Sequence, residues 1–183
     1  MAVTNRPWAR DLLYCWFHVL GPAAWFAGGE DVDAFLKVQF GRWLTPLGTQ
    51  SAESFLTDRA TARAAILLFD QLPRNLFRDD PRAYRWDPLA LAITHGAIRK
   101  GWHRGLSRDE AQFVLMPLMH SEAIADQRLS LRLFMRYAPG SLSFARSHHR
   151  MIARFGRFPH RNAVLGRHST AAEIRAVAAG FSW

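Results

Sequence analysis

Three clusters of polar side chains interrupt otherwise apolar stretches of this 183-residue chain. The first is Asp70-Gln71-Leu72-Pro73-Arg74-Asn75, directly after the apolar run from Ala64 to Phe69. Proline has no backbone N–H to donate, so a helix breaking at Pro73 would leave polar backbone beside a carboxylate, an amide and a guanidinium. Such a break suits a pocket wall, although an Asp70–Arg74 pair that only fixes the bend needs the same residues. The second cluster is Met116-Pro117-Leu118-Met119-His120-Ser121-Glu122. On a continuous helix His120 and Glu122 point to different sides, so joint action requires a non-helical turn at Ser121. There they could act as a general base with its orienting acid, or as metal ligands. The plainer alternative makes Ser121 an N-cap, Glu122 a partner of the helix dipole, and His120 a hydrogen-bonded core histidine.

The third cluster, Phe155-Gly156-Arg157-Phe158-Pro159-His160-Arg161-Asn162, continues to Leu165-Gly166-Arg167 and is the densest set of donors in the chain. Gly156 and Pro159 bend it, two phenylalanines anchor it, and Arg157, His160, Arg161 and Asn162 are then presented from a rigid loop. Such groups need partners if buried, and Asp70 and Glu122 are the obvious carboxylates. Upstream lies His149, beside an i, i+4 row of Arg146, Arg150 and Arg154 that reads first as a solvated face.

Two chemistries fit these residues if the clusters share one hollow. In the preferred one, Arg74, Arg157 and Arg161, with Gln71, Asn75, His149 and Asn162 around them, receive a small anion or an acidic peptide end through charge-assisted hydrogen bonds. In the alternative, a hydrolase-type enzyme uses His120 or His160 to move a proton, Asp70 or Glu122 to orient it, and Arg161 with Asn162 to stabilise negative charge. A metal-assisted variant would take His120, Glu122 and His149 or His160 as ligands, but no spacing designates a metal site, and no cofactor is named by any motif. Phosphate loops, dinucleotide glycine fingerprints, nucleophile elbows and zinc cysteine patterns are all absent from the sequence.

The elements that position these clusters are helical. Apolar periodicity predicts helices over Trp8 to Leu20, from Asp31 to just before Pro46, and from Ser51 or Asp58 to Pro73. A short helix follows Asp80-Pro81, and a longer one runs from Asp87-Pro88 to Lys100-Gly101. Next comes Leu106 to Met116, capped by Ser107 and broken at Pro117. Ser121 to Tyr137, Leu142 to Phe155 with Gly156 as a left-handed stop, and a last helix with a Thr170/Glu173 capping box complete the set. This predicts an all-α fold of about eight helices, in one domain over residues 1–183. Short connections allow either a closed bundle or stacked antiparallel hairpins.

Composition bounds the partners. Apolar residues make up 49% of the chain, enough for a sizeable core. Cys15 alone excludes an internal disulfide and fits a cytoplasmic setting. The net charge is +9, and all 24 basic residues except Lys37 and Lys100 are arginine. The excess concentrates at the C-terminal end, where residues 141–183 carry seven arginines against Glu173 alone. Nucleic acid is therefore a lesser candidate partner, one that would show steep salt dependence. No helix pairs a basic face with a large exposed apolar one, so no membrane is expected. The run Leu12 to Leu20 reads as a core helix ending at Gly21-Pro22 rather than an export signal. Oligomeric state leaves no mark in the sequence.

The segments Ile66 to Arg78, Met116 to Glu122 and His149 to Glu173, including R-F-G-R-F-P-H-R-N, L-G-R and S-T-A-A-E, resemble the bacterial family catalogued as domain of unknown function 924. Weaker similarity at Trp16-Phe17, Trp25-Phe26 and Phe40-Gly41 extends this across almost the whole chain. The resemblance implies a helical fold like that of tetratricopeptide-repeat superhelices, favouring stacked hairpins, and it brings no activity. Departures from the family's pattern fall at Tyr14, where an acidic residue is usual, and at the packing positions Phe69 and Leu72.

Overall fold

The computed structural model describes residues 6–27 and 29–181, and among them there is no strand. The chain divides into two compact units, Met1–Gly105 and Leu106–Trp183. The sequence carries no composition shift there. What marks the boundary is a turn in which Gly101 and Gly105 both take positive φ, 71° in each case, a backbone state that glycine reaches without strain.

The first unit opens with α1 (Pro7–Tyr14), its proline in the first turn, where a missing N–H costs nothing. The helix continues as a π-helical stretch over Cys15–Leu20 and turns at Gly21, φ 69°, into α2 (Gly21–Ala27). The Trp25 indole donates to the Trp16 carbonyl at 2.7 Å and ties α2 back onto that stretch. In α3 (Glu30–Gly48) the acidic Glu30, Asp31 and Asp33 occupy the first turn, and Leu36, Phe40, Leu44 and Leu47 form the buried stripe. The helix runs through Pro46 rather than ending before it.

Helix α4 (Arg59–Ile66) starts at Asp58, whose carboxylate accepts the Thr61 N–H at 2.8 Å. It then passes through a π turn, Leu67–Gln71, into α5 (Leu72–Leu76). Pro73 therefore does not break the helix. In a regular α-helix its ring would press on the carbonyl four residues back. Here the Leu72 N–H reaches five residues back to Leu67, and the widened turn absorbs the misfit. Helix α6 (Asp87–Arg99) packs on α4, which also packs on α1, while α3 packs on α5. Edge-to-face rings of Trp8 and Phe55, 6.4 Å apart, and of Phe55 and Phe69, 5.3 Å apart, lie in this unit's core.

The second unit contains α7 (Arg108–His120), α8 (Ile124–Tyr137), α9 (Leu142–Phe155) and α10 (Ala171–Ala178). Ser107 and Glu110 close a reciprocal capping box on α7. Pro117 lies inside α7, so the expected break moves to Ser121, where the backbone turns extended. Consecutive helices α7, α8 and α9 pack against one another across short connections, which makes them antiparallel neighbours. Met151, Ile152, Phe158 and Ala176 form a buried cluster with Phe155 and Phe181 packed on it. Among the described residues no helix is long and apolar enough to cross a membrane.

Candidate functional site

Of the three polar clusters, the first belongs to the Met1–Gly105 unit and the other two to the Leu106–Trp183 unit. In the first unit the residues after Pro73 fold back on the π turn. Arg74 donates to the Asp70 carbonyl, and Asn75 Nδ2 to the Gln71 carbonyl at 3.1 Å. Arg74 also forms a two-pronged pair with Asp87, both contacts at 2.9 Å, and stands 3.5 Å from the Asp70 carboxylate. Burial works against its charge, but Asp70 and Asp87 hold the guanidinium above its ordinary range. Asp70 is fully buried and Gln71 donates to it. The Asp70–Arg74 pairing weighed from the sequence is thus present, strengthened by Asp87.

In the second unit the backbone turns extended at Ser121, as the second cluster required. The Ser121 hydroxyl accepts the Ala123 N–H at 3.1 Å and donates to Asp126 at 2.7 Å, so it braces the connection instead of capping α8, whose N-cap is Ala123. The carbonyls that end α7 are collected by Gln127, whose fully buried amide donates to Met119 at 2.6 Å and Ser121 at 2.7 Å. Glu122 Oε1 accepts the Phe158 N–H at 2.8 Å, and both its oxygens accept from Arg167, at 2.9 and 3.0 Å. Glu122 therefore clamps the α7–α8 connection to the loop after α9. It does not orient His120.

That loop takes the expected shape. Gly156 is left-handed, φ 70°, and its N–H donates to the Ile152 carbonyl. Phe158 is fully buried, and Pro159–Arg161 makes one tight turn. Arg157, expected to face a ligand, instead grips Glu173 at 2.7 and 3.0 Å and the His168 carbonyl at 2.8 Å. Glu173 in turn caps α10 with Thr170. Hydrogen bonds from Arg157 and from the Thr170 N–H pull the Glu173 carboxyl down to about 2. Asn162 is fully buried and donates to Ser169 at 3.1 Å.

The same unit also holds a group of rings and one guanidinium gathered around Phe158 and His148. The Arg161 guanidinium lies 4.5 Å from the Phe158 ring centre. The His160 ring is 5.6 Å from the same centre, and the His148 ring 5.4 Å. His120 stands 6.0 Å from His148. His148 and Arg161 are buried, His120 and His160 half-buried. The Nδ1 of His148 lies 2.9 Å from the Phe144 carbonyl. A carbonyl can only accept, so Nδ1 carries the proton and Nε2 is left as a lone-pair acceptor. Burial first, and then electrostatic interaction with His120, Arg161 and His160, pushes the His148 imidazole down to about 3, so it stays neutral.

His148 is the member that sequence reasoning missed. The sequence points instead to its neighbour His149, which the structure puts beside Arg146, Arg150 and Arg154. The signal was available, since Ala145, His148 and Ile152 share the buried side of α9 at helical spacing. Among the described residues no group of three or more His, Cys, Asp or Glu side chains could hold a metal ion, so the ligand set His120, Glu122 and His149 or His160 is not assembled.

Residues 12–180 match the family described as "Bacterial protein of unknown function (DUF924)". A solved structure of a protein of unknown function from Agrobacterium tumefaciens is similar with 32% identity and a TM-score of 0.88, over 94% of this chain and 97% of that one. No curated protein matches the sequence.

Proposed function

Since this chain belongs to the bacterial DUF924 family, a family of unknown function, we propose from its own residues that the Leu106–Trp183 unit binds a small oxyanion at the cluster of Arg161, His120, His160 and His148. One observation supports this reading: a buried guanidinium shares the Phe158 ring with the imidazoles of His148 and His160, and His120 lies against His148. The guanidinium offers paired donors to a phosphate or carboxylate. His120 and His160 are half-buried and so remain within reach of solvent. A His120–Glu122 acid–base pair would need Glu122 to leave Phe158 and Arg167, so binding is the better reading.

Calorimetric titration with inorganic phosphate, malate and a nucleoside monophosphate, followed in parallel by imidazole NMR signals, tests it. At least one ligand binds, shifts the signals of His120, His148 and His160 together, and binds more weakly to His160→Ala and Arg161→Lys. Binding of none of the three, or binding that leaves those signals in place, refutes the reading.

A further inference from the structure

A second basic site lies on the same unit, away from the ring cluster in sequence phase. Leu131, Arg146, His149, Arg150, Ala153 and Arg154 line an open groove of about 530 Å³. The arginines are exposed, and among the described residues none of the three forms an ion pair. Helix α9 contains no acidic residue, and α8 and α9 together carry six arginines against Asp126, which takes the Ser121 hydroxyl. Arg150 and Arg154 are held near aromatic rings, 6.0 Å from that of Phe181 and 5.0 Å from that of Phe155.

The geometry points to a nucleic-acid strand bound in this groove through its phosphates. Residues four apart on a helix are separated by a rise of about 6 Å, so the three guanidiniums mark a line of about 12 Å. One small anion cannot bridge that line, whereas a strand whose charges recur at a similar step can. Leu131 and Ala153 give the groove an apolar floor against which sugars can lie. A phosphodiester carries its charge on the backbone and spends no side-chain entropy on each contact, unlike an acidic peptide. Guanidinium forks suit phosphate oxygens, and counterion release adds to the affinity. A flat lipid surface would need a continuous apolar face to insert, and on α9 Ala145, Met151 and Ile152 are buried while Phe144 stands exposed without an apolar stripe around it. Nothing in the groove reads bases, so sequence preference is absent.

Fluorescence anisotropy of a labelled, mixed-sequence single strand across a salt series tests the assignment on the full chain. Three phosphate contacts give a log–log salt slope of about −2 for a single strand. The triple variant Arg146→Gln/Arg150→Gln/Arg154→Gln, which retains its helical circular dichroism, loses that slope, and Arg150→Gln alone reduces its size by about 0.7. Arg150→Lys keeps it, and Arg59→Gln, in the other unit, leaves it unchanged. Changing the base sequence does not alter affinity. The proposal is overturned if no strand binds at low salt, or if Arg150→Gln leaves the slope intact. It is equally overturned if polyglutamate or anionic phospholipid vesicles displace the labelled strand as well as unlabelled strand does.

Discussion

Removing the Glu122 carboxylate tests whether the proposed oxyanion site is held together by the clamp described above. Glu122 joins the connection that carries His120 to the loop that carries His160 and Arg161, through the Phe158 N–H and Arg167. Its side chain and that of Arg167 are 28% and 27% exposed, so the ion pair lies near the surface and contributes about 0.5 kcal/mol. A backbone N–H donated to a charged acceptor adds about 1.5 kcal/mol. Glu122→Ala should therefore cost about 2 kcal/mol, lowering Tm by about 4–8 °C in a chain of this size. Glu122→Gln retains an acceptor for Phe158 and should lose about half as much. Because the loop is less ordered before binding, oxyanion affinity should also fall in Glu122→Ala. Thermal unfolding by circular dichroism and calorimetric titration of the same samples read both effects. An unchanged Tm in Glu122→Ala refutes the clamp. A lowered Tm with unaltered affinity refutes its role in positioning the site.

Two further outcomes follow from the shifted groups. Glu173 titrates near 2 in the fold against an ordinary value of 4.5, so below about 4.5 the unfolded chain takes up a proton that the folded one does not, and stability falls until about 2; Glu173→Gln should flatten that part of a Tm-against-pH curve. His148, held near 3 against 6.5, works in the same direction over a higher window, destabilising the fold as pH drops from about 6.5 to about 3, and its imidazole NMR signal should show an Nδ1–H tautomer with no titration step above pH 4.

The parts of this fold that were legible in the sequence are those decided within one turn of chain. The Thr170/Glu173 capping box, the Ser107 cap and the left-handed Gly156 each need only neighbours three or four residues away, and each stands where the spacing put it. Pro73 and Pro117 were misread as breaks because a proline's effect depends on what the backbone before it can do. The π turn at Leu67–Gln71 has no composition of its own by which to be recognised. Pairing was harder still. Glu122 meets Arg167 across 45 positions and Arg157 meets Glu173 across 16, and with 22 arginines available no local pattern selects the partner.

That difficulty bears on how a candidate site should be composed in a helical protein. Every helix end leaves carbonyl or amide groups that must be satisfied, so polar residues concentrated at such ends are claimed first by the backbone and by one another. Here Gln127 closes α7, Arg74 and Asn75 close the π turn, Glu173 opens α10, and Glu122 and Arg157 brace the loop after α9. Subtracting these from the polar clusters removes most of the residues that spacing alone nominated. Arg161, His120 and His160 are candidates on a different ground, the rings gathered around Phe158 and His148, and burial adds His148, which spacing had passed over in favour of His149. Among the described residues Arg146, Arg150 and Arg154 form no ion pair, and they stand on α9, a helix with no carboxylate of its own. Because those three arginines are exposed, substitutions along that row should change binding more than stability.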